Sequence, residues 1–301
     1  VERNVLVNTH HPFIISIRNA FQTDTKVYLV LEYVPGGSIF TMIHQRERIP
    51  LKEIQLYVAE ISLALNYLHN NHIIYRDLKS ENVLLDSQGF LRLTDFGLAK
   101  ILTIQLTTST FFGTSEYLAP EIIEKKAYGI QIDWWALGIL TYELFFGTTP
   151  FRHPNSNELI HLITTSSPTF PDDCDPKIKN FILSLLEKNP EKRLTFKELL
   201  VHPFFDGLNF EDVYNKKIIP EFIPILSSTD LINTSTLENE QTNAAFDSLA
   251  TPMDSTGNAQ FKGFSYFDAE EDESSDVQIE DDLQLDPKLE PTSFTDMPPL
   301  I

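Results

Sequence analysis

The spacing of apolar residues changes period several times along the chain, and each change marks an element. Val27, Leu29 and Leu31 alternate with Tyr28, Val30 and Glu32, the period of a half-buried strand, so residues 26–33 are predicted as one strand and the apolar run 13–18 as another. Pro35-Gly36-Gly37 ends the second run. Over residues 51–69, Ile54, Val58, Ile61, Leu65 and Leu68 return at 3.6-residue spacing, which predicts a helix with one apolar stripe facing a core. Short apolar runs at 83–85 and 90–93, separated by Asp86-Ser87-Gln88-Gly89, read as a small hairpin. A segment of about 25 residues, 95–121, shows no apolar period, and an ordered loop of that length is usually functional. Helical periods resume at 131–146, 158–164, 177–187 and 195–202, the first of them apolar on all sides. Strands followed by helices predict an α+β body.

Charge divides the 301 residues unevenly. Residues 1–205 hold 22 acids and 19 Lys/Arg, whereas 206–301 hold 21 acids and four lysines, so the formal charge of -20 sits almost entirely in the last third. Such a tail repels nucleic acid and anionic lipid, and residues 228–301 are expected to be mostly disordered in isolation. One cysteine, Cys174, excludes a disulfide framework and points to a reducing, cytoplasmic setting with nuclear access open. No apolar run reaches membrane-spanning length, and the chain opens on Val1 rather than methionine, as a piece of a longer protein would.

The chemistry concentrates in Tyr75-Arg76-Asp77-Leu78-Lys79-Ser80-Glu81-Asn82, followed by Asp95-Phe96-Gly97 and then Ala119-Pro120-Glu121. Each piece alone is weak; all three in order, separated by a hairpin and a long loop, are not a chance arrangement. Phosphoryl transfer needs positioning and charge neutralisation more than covalent chemistry. Asp77 would orient a hydroxyl and accept its proton, Lys79 would offset phosphate charge, and Asn82 and Asp95 offer hard oxygen ligands for Mg²⁺. With these motifs the chain resembles the eukaryotic protein kinases. Tyr75, Asp133-Trp134-Trp135-Ala136-Leu137-Gly138 and Tyr117-Leu118-Ala119-Pro120-Glu121 are similar to the group containing protein kinases A, B and C, closest to its ribosomal S6, serum-regulated and B-like members.

The resemblance implies a bilobal kinase-like fold: 1–37 as the remnant of a small lobe, 38–205 as the large lobe, and 206–301 as a regulatory tail. It implies an ATP- and Mg²⁺-dependent serine/threonine kinase in which Thr114 bonds Asp77 and Lys79. Glu32 and Val34 would sit on the adenine-binding hinge, with Leu84, Thr94 and the tail's Phe246 also against the nucleotide. Glu121 would pair with Arg193. Glu81 and Glu143 match an acidic pair that receives basic substrate side chains. Thr110 falls at the activation-loop phosphorylation position, where Arg76 and Lys100 would receive the phosphate. Phe261, Phe264 and Ser265 resemble a hydrophobic motif that docks on the small lobe and is phosphorylated at its serine. The implied partners are protein substrates and upstream activating kinases at Thr110 and Ser265.

Some parts of the pattern fail. Glu2 matches the C-helix glutamate that regulates such enzymes, but the strand lysine it pairs with and the glycine-rich loop do not occur in these 301 residues. The chain is therefore expected to start inside the C-helix, to bind ATP poorly and to transfer phosphate negligibly on its own. Ser38 stands where the group has a glutamate that contacts an upstream arginine, and Ser80 and Ser115 replace common prolines. A non-catalytic kinase-like binding protein is the alternative.

Overall fold

A computed structural model describes residues 2–23, 26–102, 115–226 and 266–267. The stripe predicted over 51–69 is the helix α3, Leu51–Asn70, entered from Pro50, and its inward face is fully buried. Against it lies α5, Gln131–Phe146, closed by Gly147 in the left-handed region. The apolar composition of α5 on every side has its reason here, since thirteen of its residues from Ile132 to Leu144 are buried between neighbours. The helices α6 (Ser156–Thr165), α7 (Pro176–Leu185) and α8 (Phe196–Leu200) complete the large lobe, capped by Asn155, Asp175 and Thr195 respectively. Thr195 and Glu198 form a capping box.

The first helix, α1 (Glu2–Val7), buries Val5 and Leu6. Strands β1 (Ile17–Gln22) and β2 (Val27–Leu31) pair antiparallel, with Ala20 opposite Leu29. The strand expected over 13–18 is corrected: regular pairing starts at Ile17 and runs on to Gln22. Phe13, Ile14 and Ile15 are almost fully buried and bridge instead to Leu93, joining the two lobes. Three consecutive buried residues cannot share one face of a two-sided strand, so they fill the core at the lobe junction. The hairpin appears as β4 (Val83–Leu85) and β5 (Leu91–Leu93). The two-residue strand β3 (Ile73–Ile74) pairs with β6 (Lys100–Ile101), so the segment read as a long ordered loop is tied down near its start. Later it forms a single turn at Ser115–Tyr117 and the short helix α4 (Pro120–Ile123).

The sequence pattern did not show two further short helices, α2 (Ile39–Gln45) and α9 (Phe210–Tyr214). Ser38 caps α2 by accepting the Thr41 N–H, which explains a serine at that position. From α9 the chain packs back across the body. Tyr214 meets the His11 ring edge-on, Arg46 lies over Phe222, and Pro224 passes Gly36 beside the hinge. Gly89, at φ +87°, makes the hairpin turn, and a Cβ there would stand 2.2 Å from the Phe222 carbonyl oxygen. Farther along, β7 (Tyr266–Phe267) adds to the free edge of β1 opposite Ala20 and Asn19.

Candidate active site

The loop between β3 and β4 is held by hydrogen bonds to its backbone. Arg76 takes φ +71°, a conformation that costs a non-glycine residue energy unless its surroundings impose it. The constraint comes from Asp133, at the start of α5 and 1% exposed, whose carboxylate accepts the Tyr75 N–H at 3.0 Å and the Arg76 N–H at 2.8 Å. His69 lies 2.8 Å from the same carboxylate. Asp133 was noted in the sequence only as part of a motif; its position in the first turn of an apolar helix, where a carboxylate needs partners, was the available signal.

With the loop so fixed, three predicted residues meet. Lys79 Nζ lies 3.0 Å from Asp77 Oδ2, and Asn82 Nδ2 donates to the same oxygen at 2.8 Å and to the Asp77 carbonyl at 2.9 Å. That leaves the Asn82 Oδ1 as its amide's ligand atom. The Thr94 N–H donates to the Asn82 carbonyl at 3.0 Å, so the end of β5 runs beside this loop and delivers Asp95 to it. Asp95 is exposed at φ +55°, its carboxylate accepting the Gly97 N–H, while Phe96 is buried against Tyr75. The Tyr75 hydroxyl donates to the Thr94 carbonyl. Burial, and then the charges of Asp77, Asp95 and Asp133, hold that phenol well above its ordinary pKa, so it stays a donor.

Glu2 of α1 reaches the same place. Its carboxylate accepts the Phe96 N–H, and burial together with the Asp95 charge raises its pKa. Among the described residues no group of three or more His, Cys, Asp or Glu side chains could hold a metal by itself. One carboxylate and one amide oxygen fit Mg²⁺ as a partial shell that phosphate oxygens and water complete.

Residues 1–205 match the family described as protein kinase domain. The chain belongs to this family. Among its relatives, the serine/threonine-protein kinase sck2 of Schizosaccharomyces pombe is 38% identical over 95% of this chain and 48% of its own length. A RAC family serine/threonine-protein kinase homolog of Dictyostelium discoideum is 39% identical over 88% of this chain and 61% of its own. A protein kinase C of Aspergillus fumigatus is 39% identical over 85% and 24%. These relatives bear out the group that the motifs resemble, and the chain spans between about a quarter and three fifths of their lengths.

In this kinase domain the remaining predicted residues fall as follows. Glu32 and Val34 follow β2; the Glu32 N–H donates to the Ser16 carbonyl, and its carboxylate pairs with Arg92 at 3.0 Å. Leu84 lies in β4 and Thr94 just after β5, both half-buried. Glu143 is 6% exposed and accepts the Tyr117 hydroxyl; burial raises its pKa, and the nearby Glu81 charge adds to the rise. Glu81 is exposed. The Ser80 N–H donates to the Tyr117 hydroxyl at 3.3 Å, a bond the proline common at this position could not make. Arg76 Nε donates to the Leu98 carbonyl at 2.6 Å and Nη1 to the Tyr128 hydroxyl at 3.3 Å, whereas Lys100 lies in β6. Glu121 and Arg193 form the expected buried pair, at 2.7 and 3.0 Å. Thr110, Thr114, Phe246, Phe261, Phe264 and Ser265 lie outside the described residues. No helix among the described residues is long and apolar enough to cross a membrane.

Proposed function

We propose that this chain carries the catalytic centre of a serine/threonine protein kinase that transfers the γ-phosphate of ATP to hydroxyls of protein substrates. The observation that carries this reading is the convergence of Lys79 and Asn82 on one carboxylate oxygen of Asp77. A binding module needs no such arrangement, and it is what an in-line transfer to a hydroxyl requires. Asp77 accepts the hydroxyl proton, Lys79 neutralises charge at the transferring group, and Asn82 with Asp95 would hold Mg²⁺. The bound ion supplies charge neutralisation across the phosphates. Glu32 and Val34 present hinge backbone to the adenine, with Leu84, Thr94 and Phe246 lining it, and Thr114 completes the bonds to Asp77 and Lys79. Glu81 and Glu143 favour substrates with basic residues near the target.

Control follows from phosphorylation at Thr110, received by Arg76 and Lys100, and at Ser265 beside Phe261 and Phe264. The pairing of Tyr266 and Phe267 with β1 supports docking of that tail segment. Residues 1–37 read as small-lobe remnant, 38–205 as large lobe and 206–301 as tail. Because Glu2 has no preceding lysine within these residues, the chain by itself is expected to bind ATP weakly and transfer phosphate negligibly.

The test is radiolabel transfer from ATP and Mg²⁺ to a basic serine peptide. A form given a glycine-rich loop and a strand lysine ahead of Glu2 should be active, and Asp77→Asn should reduce its rate by about 10²–10⁴-fold. An extended form without activity, or one indifferent to that substitution, would establish the non-catalytic alternative.

A further inference from the structure

An ionic junction separate from the catalytic loop lies behind the hinge. Arg92 of β5 donates from Nε to Glu32 at 3.0 Å and from Nη1 to the Pro12 carbonyl at 2.6 Å, and its Nη2 lies 3.2 Å from Asp86. Asp86 also receives the Lys216 ammonium at 3.8 Å. Lys216 follows α9 with φ +53°, and its ammonium rests over the Phe90 ring at 4.9 Å. The side chains of Arg92, Glu32 and Asp86 are only 15–19% exposed, so these charges interact with little solvent screening. On its other side Glu32 accepts the Ser16 N–H and donates its own N–H to the Ser16 carbonyl, so the junction ends on hinge backbone.

We propose that Arg92 is a positioning residue for the hinge, and that Lys216 makes the tail part of the same device, so that seating of the segment after α9 sets the geometry of residues 32–34. The link to nucleotide affinity rests on the reading of Glu32 and Val34 as the adenine contact. A planar guanidinium with donors on three sides can bridge a hinge carboxylate, a loop carbonyl and a hairpin carboxylate at once, which a lysine cannot reproduce.

The experiment is amide hydrogen exchange by mass spectrometry on the 1–301 chain, comparing wild type with Lys216→Met, Arg92→Met and Arg92→Lys. Lys216→Met keeps the aliphatic stem and removes the charge. It should speed exchange across residues 28–34 by about threefold while leaving 58–66 in α3 unchanged, with Arg92→Met larger and Arg92→Lys intermediate. Unchanged hinge exchange in Lys216→Met overturns the coupling, as does an equal rise in α3, which would be general loosening. A separate reading comes from wild type at ATP–Mg²⁺ concentrations raised until equilibrium dialysis shows the weak site filled. Absence of protection at 28–36 would remove the adenine assignment, and the junction would still be judged on the nucleotide-free comparison.

Discussion

Glu60 makes the stability of this domain depend on pH in a direction opposite to that of most carboxylates. It lies in α3, fully buried; one carboxylate oxygen accepts the Leu91 N–H at 2.8 Å, and the other has no partner among the described residues. Burial pushes its pKa up to about 8, against the pull of the Leu91 N–H and the Lys216 and Arg92 charges. In the unfolded chain the group ionises near 4.5. Between these values the folded state binds one more proton than the unfolded state, so stability falls as pH rises, and the loss due to this group is complete once pH passes about 8. At 1.36 kcal/mol per unit, the span of roughly 3.5 units sets a ceiling of about 5 kcal/mol. Glu60→Gln keeps an acceptor for Leu91 and cannot ionise. In urea unfolding at pH 5 to 8.5, the variant should gain on wild type steadily, by about 1 M in midpoint at the alkaline end if the slope is near 3 kcal/mol per M. A gap between variant and wild type that stays constant within about 0.5 kcal/mol across that range would refute the buried-acid account.

Three further outcomes follow from the packing. Glu121→Gln leaves the Arg193 guanidinium buried without its counter-charge and should cost about 3–5 kcal/mol, read as a lower urea midpoint with unchanged slope. Gly89→Ala places a methyl 2.2 Å from the Phe222 carbonyl oxygen at a φ of +87°; it should destabilise by about 1–3 kcal/mol and open residues 217–226 to limited proteolysis. His11, pushed down to about 3 by burial and by the Arg92 and Lys216 charges, stays neutral when folded and takes a proton near 6.5 when unfolded. Its contribution is therefore lost as pH falls from 6.5 toward 3, and His11→Phe should flatten the acid limb of the stability curve even if it lowers the plateau.

Much of the candidate site was legible in residue order, because the proposed phosphoryl transfer draws on a small set of side chains and their spacing along one loop and one hairpin is local. Asp77, Lys79, Asn82 and Asp95 needed no tertiary information to be named together. The long helices were legible for a similar reason: α3 and α5 extend far enough to show a period, or the lack of one that full burial produces. What the residue order could not supply was any property created by distant segments meeting. The role of Asp133 depends on α5 pointing its first turn at a loop some sixty residues earlier in the chain. The meaning of Ser80 depends on a tyrosine hydroxyl 37 residues away. Phe13 to Ile15 resembled a strand until the β5 backbone was beside them. Glu60, an ordinary acid on a helix by sequence, became a proton-binding group because α3 packs it away from water. Local spacing thus named the residues of the candidate site, whereas burial and long-range contact, which alone set desolvation and backbone restraint, decided how its charges are held.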